Sequence, residues 1–239
     1  MSPLPLAAAA ALLGAVGRVA YLTAHPAAQG WGKGFRAVPE AGARVALTFD
    51  DGPSNETERV LELLDRHEAR ATFFLCGRNV ERRPETARRT HAAGHEIGNH
   101  SFDHPPLLRL PRRAVLDQVR RTQEVIADRV GVTPKLFRPP YGIRSPFLPA
   151  ALEANGLTSV HWTVIGMDWK WAGPRVAGRV LRHGSRPGAV ICLHDGDAVR
   201  ATADRQATLD ALEVILPQLR ERGFGFVTAS DLASARQSP

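Results

Sequence analysis

Two adjacent carboxylates follow an apolar segment in the first quarter of the 239-residue chain, in the stretch "TFDDGP". The preceding residues 44–49, "RVALTF", are rich in branched and aromatic side chains, which predicts a strand that ends at Asp50 and Asp51. Gly52 and Pro53 then stop the strand. Like charges this close oppose each other's ionisation, so the pair needs a cation or an arginine nearby. Without such a partner elsewhere in the chain, the pair is only a turn.

Two histidines at a metal-binding spacing occur in "NHSFDH", where His100 and His104 are four residues apart. If this stretch is helical or tightly turned, both imidazoles project to one side and can hold one cation. Either Asp50 or Asp51 would complete a two-histidine, one-aspartate set that leaves positions open for water and substrate. A histidine pair alone is more often solvated or satisfied within a core, so the metal hypothesis depends on the acidic pair upstream.

An arginine in "FRPPYG" is the candidate partner of the second carboxylate. Pro139 and Pro140 fix backbone angles and Gly142 permits a tight turn, which indicates a rigid loop. This loop would hold Arg138 against the carboxylate that binds no metal, while a loop amide faces a developing oxyanion. A rigid loop without catalytic purpose is the alternative.

Asp168 and Trp169 of "MDWKW" and His194 of "LHD" also follow strand-like segments. An aspartate close to a histidine raises the pKa of the imidazole and fixes its tautomer, as a general acid requires at neutral pH. Each of these short motifs is common by itself, so their positions in the fold decide whether they form a functional site.

Strand-like and helix-like segments alternate along the chain from residue 44 onward. "RVALTFD" is followed by the helical stripe of "NETERVLELLDRHE" and then by the strand-like "ATFFLCG", which makes a βαβ unit. About seven such alternations predict a parallel sheet with right-handed crossovers, either closed as a barrel or open. Because both architectures place their sites at the carboxyl ends of the strands, we expect the motif residues to share one rim.

In order along the chain, "TFDDGP", "HSFDH", "RPPYG", "DWK" and "LHD" resemble the five motifs of the polysaccharide deacetylase family, also called carbohydrate esterase family four or the NodB homology domain. The likeness extends from Arg44 to Leu232. Five motifs in order are far more specific than any one of them. The resemblance implies a single α/β domain folded as a distorted, TIM-barrel-like (β/α)7 barrel. It also implies a bound divalent transition metal, zinc in the first place, with cobalt as the alternative.

The resemblance implies a division of roles between the two adjacent carboxylates. Asp51 resembles the metal ligand that His100 and His104 complete. Asp50 resembles the general base for the attacking water, and Arg138 matches the arginine that tunes this base.

The later motifs supply the implied acid and the substrate contacts. His194 resembles the acid that protonates the leaving amine, and Asp168 resembles its partner. Tyr141 occupies the position whose backbone amide helps to hold the oxyanion. Trp169 and Leu193 are in the positions that wall a small pocket for the acetyl methyl group.

One position departs from the family pattern. Many relatives carry another acidic residue three positions before the motif-four aspartate, where this chain has Ile165, so any secondary role of that acid is missing. The segment 196–205, "GDAVRATADR", is a candidate variable rim that can alter which sugar chain fits.

The implied reaction is removal of N-acetyl groups from N-acetylglucosamine units of peptidoglycan or chito-oligosaccharide. An O-deacetylase of acetylated xylan is the alternative within the same machinery. A catalytically silent glycan-binding protein is an alternative of a different class, although a binding module needs no acid, base and metal together. We expect a glycan as partner and a monomeric protein.

Composition and charge limit the class of protein. The length suits one sizeable domain, and 44% hydrophobic with 23% charged residues is ordinary for a globular chain. The formal net charge is +7, and only three of the 31 basic residues are lysines. Because the arginines are mixed with acids at helical spacings and no nucleic-acid-binding motif accompanies them, we expect no nucleic-acid partner.

The N-terminus favours export. Residues 4–17 form an uncharged Ala- and Leu-rich run, which Arg18 interrupts before it reaches membrane-spanning length. We predict a signal or membrane-anchor segment over residues 1–24, a linker over 25–43 and a deacetylase domain over 44–235. The protein would then be extracellular or in the cell envelope, with a cytoplasmic Ala-rich helix as the alternative.

Cys76 and Cys192 both lie inside apolar, strand-like runs. We interpret them as buried free thiols that act as small hydrophobic residues, rather than as a disulfide or a ligand pair. Trp162 and Trp171 could stack on sugar faces, but tryptophans at such positions are as often in the core. Only Trp169 enters the predicted site, through its motif.

Overall fold

The computed structural model describes residues 4–25, 27–28, 31–32 and 34–236 of the chain. The strands in these ranges are β1 (Gly34–Phe35), β2 (Arg44–Asp50), β3 (Ala71–Leu75), β4 (Glu96–Asn99), β5 (Leu136–Phe137), β6 (Thr158–Val160), β7 (Val164–Ile165), β8 (Ala189–His194) and β9 (Gly225–Phe226). They form one sheet in the order β1-β6-β5-β4-β3-β2-β8-β7, with β9 paired to β2. Every ladder between these strands is parallel.

Helices separate most successive strands along the chain, with a further helix before β1 and another after β9. They are α1 (Leu4–Ala24), α2 (Thr57–Arg66), α3 (Gly77–Arg82), α4 (Pro84–Ala92), α5 (Arg112–Val130), α6 (Leu148–Ala154), α7 (Gly173–Gly184), α8 (Gln206–Glu221) and α9 (Ala229–Ser234). The sheet curls into a distorted (β/α)7 barrel, which confirms the predicted fold. β1 and β7 are the two ends of the hydrogen-bonded order in the described part of the chain, so no continuous ladder closes the barrel.

The alternation of side chains along β2 separates the core from the site. Val45, Leu47 and Phe49 are fully buried in the main apolar core, which also contains side chains of α2, α7 and α8. Thr48 and Asp50 point to the opposite face, because successive residues of a strand face opposite sides. Burial of the apolar face stabilises the barrel by roughly 25 cal/mol per Å² of apolar surface. The polar face is left for the interior and the rim.

The segment before β2 is packed against the barrel. β1 pairs with β6, and the fully buried Val38 donates its N–H to the carbonyl of Gly188 at 2.8 Å. Residues 34–42 of the predicted linker are therefore built into the fold. Residues 1–3 of the predicted export segment and residues 26, 29, 30 and 33 of the predicted linker lie outside the described residues. The predicted domain boundaries stay predictions.

The end of α1 is fastened to the loop that follows β5. The Arg144 N–H donates to the carbonyl of Thr23 at 2.9 Å, and its buried guanidinium donates to the carbonyls of His25 and Ala28. In the part of the chain that the structure describes, no helix combines the length and apolarity that a bilayer crossing requires. The predicted location outside the cytoplasm stays a prediction.

Candidate active site

Residues from all five motifs meet at one rim of the barrel. A cavity of about 330 Å³ opens there. Seven predicted site residues line it: Asp50, Asp51, His100, His104, Tyr141, Trp169 and His194. Four further residues complete the lining: Gly142, Trp162, Ile165 and Arg205. The topology gathers these side chains because the strands that carry them are parallel and end on the same side.

Asp51 and the two histidines of the second motif converge on one point. Asp51 Oδ1 lies 3.5 Å from His100 Nε2 and 3.3 Å from His104 Nε2. The histidines are not on a helix, since the stretch after β4 is a loop in which Ser101 and His104 adopt left-handed φ values of 65° and 57°. The tight turn, rather than a helical turn, brings both imidazoles to one side.

Hydrogen bonding orients His100 as a ligand. Its Nδ1 lies 2.8 Å from the carbonyl oxygen of Arg138, so Nδ1–H donates to that oxygen and Nε2 directs a lone pair toward Asp51. Asp51 Oδ1 is buried and has no hydrogen-bond partner among the residues that the structure describes. A buried carboxylate oxygen without a partner facing two imidazole nitrogens is the arrangement expected around a cation.

The spacing of the three ligand atoms fits a transition metal. Zinc bonds of about 2.0–2.2 Å to nitrogen and oxygen place neighbouring corners of a tetrahedron about 3.3–3.5 Å apart. The two Asp51–histidine distances match this spacing, and all three ligand atoms lie within 4.8 Å of one another. Asp51, His100 and His104 are therefore able to hold a divalent transition metal.

The pKa shifts of Asp51 and His104 agree with the interpretation of this cluster as a metal site. Burial opposes ionisation of Asp51, but His100, His104 and His194 outweigh it and hold the pKa of this carboxyl well below its usual range. Burial, together with the neighbouring His100, lowers the pKa of His104 to about 4. At neutral pH the cluster thus offers a carboxylate and neutral imidazole, the protonation states that metal binding requires.

Asp50 has a different partner from its neighbour. Its Oδ1 accepts a hydrogen bond from Arg138 Nη1 at 2.7 Å, and the guanidinium is completely buried. The guanidinium also donates to Thr48 Oγ1 at 2.7 Å and to the carbonyls of Val160 and His161. An arginine this deep requires such a full set of acceptors, since burial of an unpaired cation is very costly. The predicted pairing of Arg138 with the second carboxylate is thus present in the geometry.

His194 and Asp168 form a second, separate pair. Asp168 Oδ1 lies 2.8 Å from His194 Nδ1, and Asp168 Oδ2 accepts from the backbone N–H of His194 at 2.7 Å. Thr208, in the first turn of α8, donates to Asp168 Oδ2 at 2.7 Å. Burial opposes protonation of His194, but Asp168, with help from Asp51 and Asp50, raises the pKa of this imidazole to about 9. His194 is therefore protonated at neutral pH.

Tyr141 and Trp169 stand at the open side of the cavity. Tyr141 is in a left-handed conformation with a φ of 58°, and its ring packs edge-on against His104 at 4.4 Å between centroids. The Trp169 ring packs edge-on against His194 at 4.9 Å. Both side chains are exposed, and the exposed faces are available to a sugar ring.

Leu193 does not line this cavity. It is fully buried in the main core, and a Cβ added at Gly166 would lie 2.5 Å from its Cδ2. Its strand neighbours Cys192 and His194 face the site, so the alternation along β8 directs Leu193 to the helix side. Ile165 and Trp162, which the sequence did not place in the site, contribute apolar wall instead.

The loop that carries Asp51 is held from behind by a group that sequence reasoning missed. The buried Asn79 donates its side-chain amide to the carbonyls of Asp51 at 2.8 Å and Asp197 at 3.1 Å. Gly196 lies so close that a Cβ there would be 2.2 Å from the Asp51 carbonyl oxygen. No local sequence signal marks Asn79, because its role depends on two loops that are far apart in the chain.

The comparisons with known proteins agree with the motifs. A family model described as polysaccharide deacetylase matches residues 37–160. The peptidoglycan-N-acetylglucosamine deacetylase PgdA of Listeria monocytogenes is 35% identical over 198 residues, which cover 82% of this chain and 40% of that protein. A chitooligosaccharide deacetylase of Bradyrhizobium sp. is 40% identical over 189 residues, covering 75% of this chain and 86% of that protein. The chain thus spans less than half the length of the Listeria relative.

Solved structures of similar proteins include both an enzyme and a protein described as a pseudoenzyme. A peptidoglycan N-acetylglucosamine deacetylase in complex with 4-naphthalen-1-yl-N-oxidanyl-benzamide has a TM-score of 0.76 and 37% identity, covering 82% of this chain and 91% of that chain. A carbohydrate esterase family four pseudoenzyme of Bacillus anthracis has a TM-score of 0.71 and 30% identity, covering 80% of this chain and 65% of that chain. The family therefore contains both active and inactive proteins, and the residues of a given chain decide between the two.

Proposed function

The chain belongs to the polysaccharide deacetylase family, and on this premise we propose that it removes N-acetyl groups from N-acetylglucosamine units of a glycan. The proposal rests on one observation above all. A single cavity contains a three-ligand set, an arginine-paired carboxylate and an aspartate-paired histidine, which are the groups that metal-assisted amide hydrolysis requires. The substrate would be peptidoglycan or a chito-oligosaccharide.

Asp51, His100 and His104 would hold zinc or cobalt in this scheme. When bound, the metal would polarise the acetyl carbonyl and acidify a water in the cavity. The protein contributes fixed ligand positions, because the carbonyl of Arg138 orients His100 from behind.

Asp50 is the proposed general base. Arg138 fixes its Oδ1, so Oδ2, which contacts the Cys192 thiol and keeps a further lone pair, is the oxygen that accepts the proton of the attacking water. The backbone N–H of Tyr141 is the proposed donor to the oxyanion that forms on the former carbonyl.

His194 is the proposed general acid for the leaving nitrogen. Its Nδ1 is engaged by Asp168, so the proton on Nε2 is the one available to the substrate. An amine leaves only after it has been protonated, whereas an alkoxide depends less on an acid. The raised pKa of His194 therefore favours N-deacetylation over the O-deacetylation of acetylated xylan.

We also propose that the protein works outside the cytoplasm, on glycan of the cell envelope. The uncharged Ala- and Leu-rich run at residues 4–17 supports export, and the names of the deacetylase relatives support such a substrate. Fractionation of cells that express the full chain would test this location.

The decisive experiment is acetate release by purified protein from peptidoglycan, chitin oligomers and acetylated xylan, with and without added zinc or cobalt. We expect metal-dependent release from one or both of the first two substrates. His194→Ala should reduce amide hydrolysis much more than any residual ester hydrolysis. If the purified protein binds glycan, releases no acetate and contains no stoichiometric metal, it is a catalytically silent glycan-binding protein instead.

A further inference from the structure

Cys192 contacts the side chain of Asp50, the proposed general base, from the neighbouring strand β8. It is fully buried on β8, where its register partner on β2 is Thr48, and the next inward-facing pair along the two strands is Asp50 and His194. Cys192 Sγ is 3.4 Å from Asp50 Oδ2, within hydrogen-bonding distance for a thiol. The alternation along β8 thus places a sulfur atom next to the reacting carboxylate.

The contact has a defined donor and a defined acceptor. An ionised carboxylate can only accept, so the thiol must donate its proton to Asp50. Burial, together with the nearby Asp50, raises the pKa of the Cys192 thiol well above its usual range, which keeps this proton in place. A bond to a charged acceptor is stronger than the usual thiol bond.

We propose that Cys192 is a positioning residue for the reaction, whose S–H donates to Asp50 Oδ2 and fixes the orientation of the general base. The proposal rests on the deacetylase function proposed above. Arg138 holds Oδ1 of the same carboxylate at 2.7 Å, so the two oxygens are held from two sides by an arginine and a thiol. Either contact alone would leave the carboxylate free to turn.

The Asp50 carboxylate could also turn toward the metal ligands, which explains why the contact with Cys192 is useful in addition to that with Arg138. Asp50 Oδ2 lies 3.9 Å from His100 Nε2, one of the proposed metal ligands. A small rotation of the carboxylate would therefore bring the base into the ligand set, where it could no longer accept a proton from water. The thiol of Cys192 holds Oδ2 on the side of β8 and keeps the base separate from the metal ligands.

Cys76 provides a matched control within the same chain. It is also a fully buried free thiol, but its nearest acceptor is the backbone carbonyl of His100 at 3.9 Å rather than a side-chain carboxylate. Replacing either cysteine by alanine removes the same atoms from a buried site, so a difference between the two variants reports the contact with Asp50.

The hydrogen bond itself can be tested by infrared spectroscopy on metal-free protein. In a Cys76→Ala background the only S–H stretching band comes from Cys192, because the chain has two cysteines. Replacing Asp50 by asparagine weakens the acceptor, so we expect the band to move to higher wavenumber. An unchanged band would show that the thiol does not donate to Asp50 and would overturn the proposal. This measurement does not depend on any enzymatic activity.

The consequence for catalysis is tested by kinetics at saturating metal. We expect Cys192→Ala to lower kcat about tenfold with KM changed less than about twofold, because the group lost acts on the base and not on substrate binding. Cys192→Ser, which retains a donor, should recover most of this loss and also guards against a variant that fails to fold. Cys76→Ala should change kcat by less than about twofold.

Three outcomes contradict the proposal. Equal losses of kcat in Cys192→Ala and Cys76→Ala would show that Cys192 only packs in the core. A kcat of Cys192→Ser no higher than that of Cys192→Ala would show the same. A fall in bound metal in Cys192→Ser would make the thiol a metal ligand instead. If the wild-type protein releases no acetate from any glycan, the deacetylase proposal fails, and the infrared result still decides whether the thiol orients Asp50.

Discussion

Asp50 and Asp51 are adjacent in the chain, yet their carboxylates interact with separate partners. Asp50 Oδ1 lies 2.7 Å from Arg138, whereas Asp51 Oδ1 lies 3.3 Å from His104 and 3.5 Å from His100. Asp51 has a φ of 72°, a left-handed backbone conformation that turns its side chain away from that of Asp50. Two like charges are tolerated because Arg138 offsets the charge of Asp50, while Asp51 with His100 and His104 can hold a cation.

This separation predicts opposite phenotypes for two similar substitutions. Asp51→Asn should abolish stoichiometric metal binding, because an amide is a poor substitute for a carboxylate ligand. Asp50→Asn should retain metal and lose about 10²–10⁴-fold in kcat, the usual contribution of a general base. Metal content by elemental analysis and acetate release would be measured together.

Asp103→Asn is the matched control for these two variants. Asp103 lies between the two histidines of the same motif but pairs with Arg78 at 2.9 Å. Its substitution should change neither metal content nor turnover. Loss of metal in Asp50→Asn would contradict the division of roles between the adjacent carboxylates.

The buried Arg138 predicts a stability coupling with Asp50. Arg138→Met would leave a buried carboxylate without its counter-charge, which costs about 3–5 kcal/mol. The double variant with Asp50→Asn should recover much of this loss, since no unpaired charge remains. Urea denaturation of metal-free protein would measure both effects. Arg120→Met, at an exposed arginine paired with Asp117 and Glu124, should be indistinguishable from wild type.

The His194–Asp168 pair predicts a pH dependence of stability. The pKa of His194 is about 9 in the folded protein and about 6.5 in an unfolded chain. Stability from this group is therefore fully present below pH 6.5 and is lost as the pH rises through 9. In metal-free protein, Asp168→Asn should lower the free energy of unfolding near neutral pH, on the order of 2 kcal/mol, and the difference should narrow toward pH 10. A difference that is constant between pH 6.5 and 10 would exclude the coupling.

The close packing of Gly196 against the Asp51 backbone predicts that a substitution of this glycine weakens metal binding. Gly196→Ala would force the Asp51 backbone to move, because the added Cβ would lie 2.2 Å from its carbonyl oxygen. We expect the metal dissociation constant to increase about 10–100-fold, as for other residues that support a ligand from behind. Competition with a chromogenic chelator would measure it.

Gly178 provides the control for this glycine substitution. It lies in α7, and a Cβ there would meet nothing within 4 Å. Gly178→Ala should leave metal affinity unchanged and stabilise the protein by about 0.5–1 kcal/mol, the usual gain in helix propensity. Equal losses of metal affinity in both variants would contradict the role assigned to Gly196.

The sequence predicted that the candidate metal ligands and the Asp50–Arg138 and His194–Asp168 pairs meet at one rim, because these residues lie at or just after strand ends. Parallel topology brings strand ends to one rim whatever the details of the loops, so the sequence was sufficient to place Asp50, His194 and Asp168 at that rim. The fold was predictable from periodicity and topology, with the barrel shape supplied by the family resemblance.

The other features of the site depend on which side of the sheet a side chain points to, and on contacts between residues far apart in the chain. Leu193 was placed in the pocket by its motif, but strand alternation puts it in the core and puts Cys192 beside Asp50 instead. Counting two residues back from His194 would have found Cys192. Thr208 supports Asp168 from a helix 40 residues further along the chain, and no local pattern predicts a contact over that separation.

The backbone register of β2 and β8 has a consequence for how such a site can diversify. Asp50 and His194 are direct Cα partners across these two neighbouring strands, and paired strands lie roughly 4.7–4.9 Å apart in any sheet. The backbone separation between the proposed base, Asp50, and the proposed acid, His194, is therefore set by sheet geometry. We expect rim residues 198–204, beyond the closely packed Gly196, to tolerate changes in length and composition, and so to admit different polymers, without changing that separation.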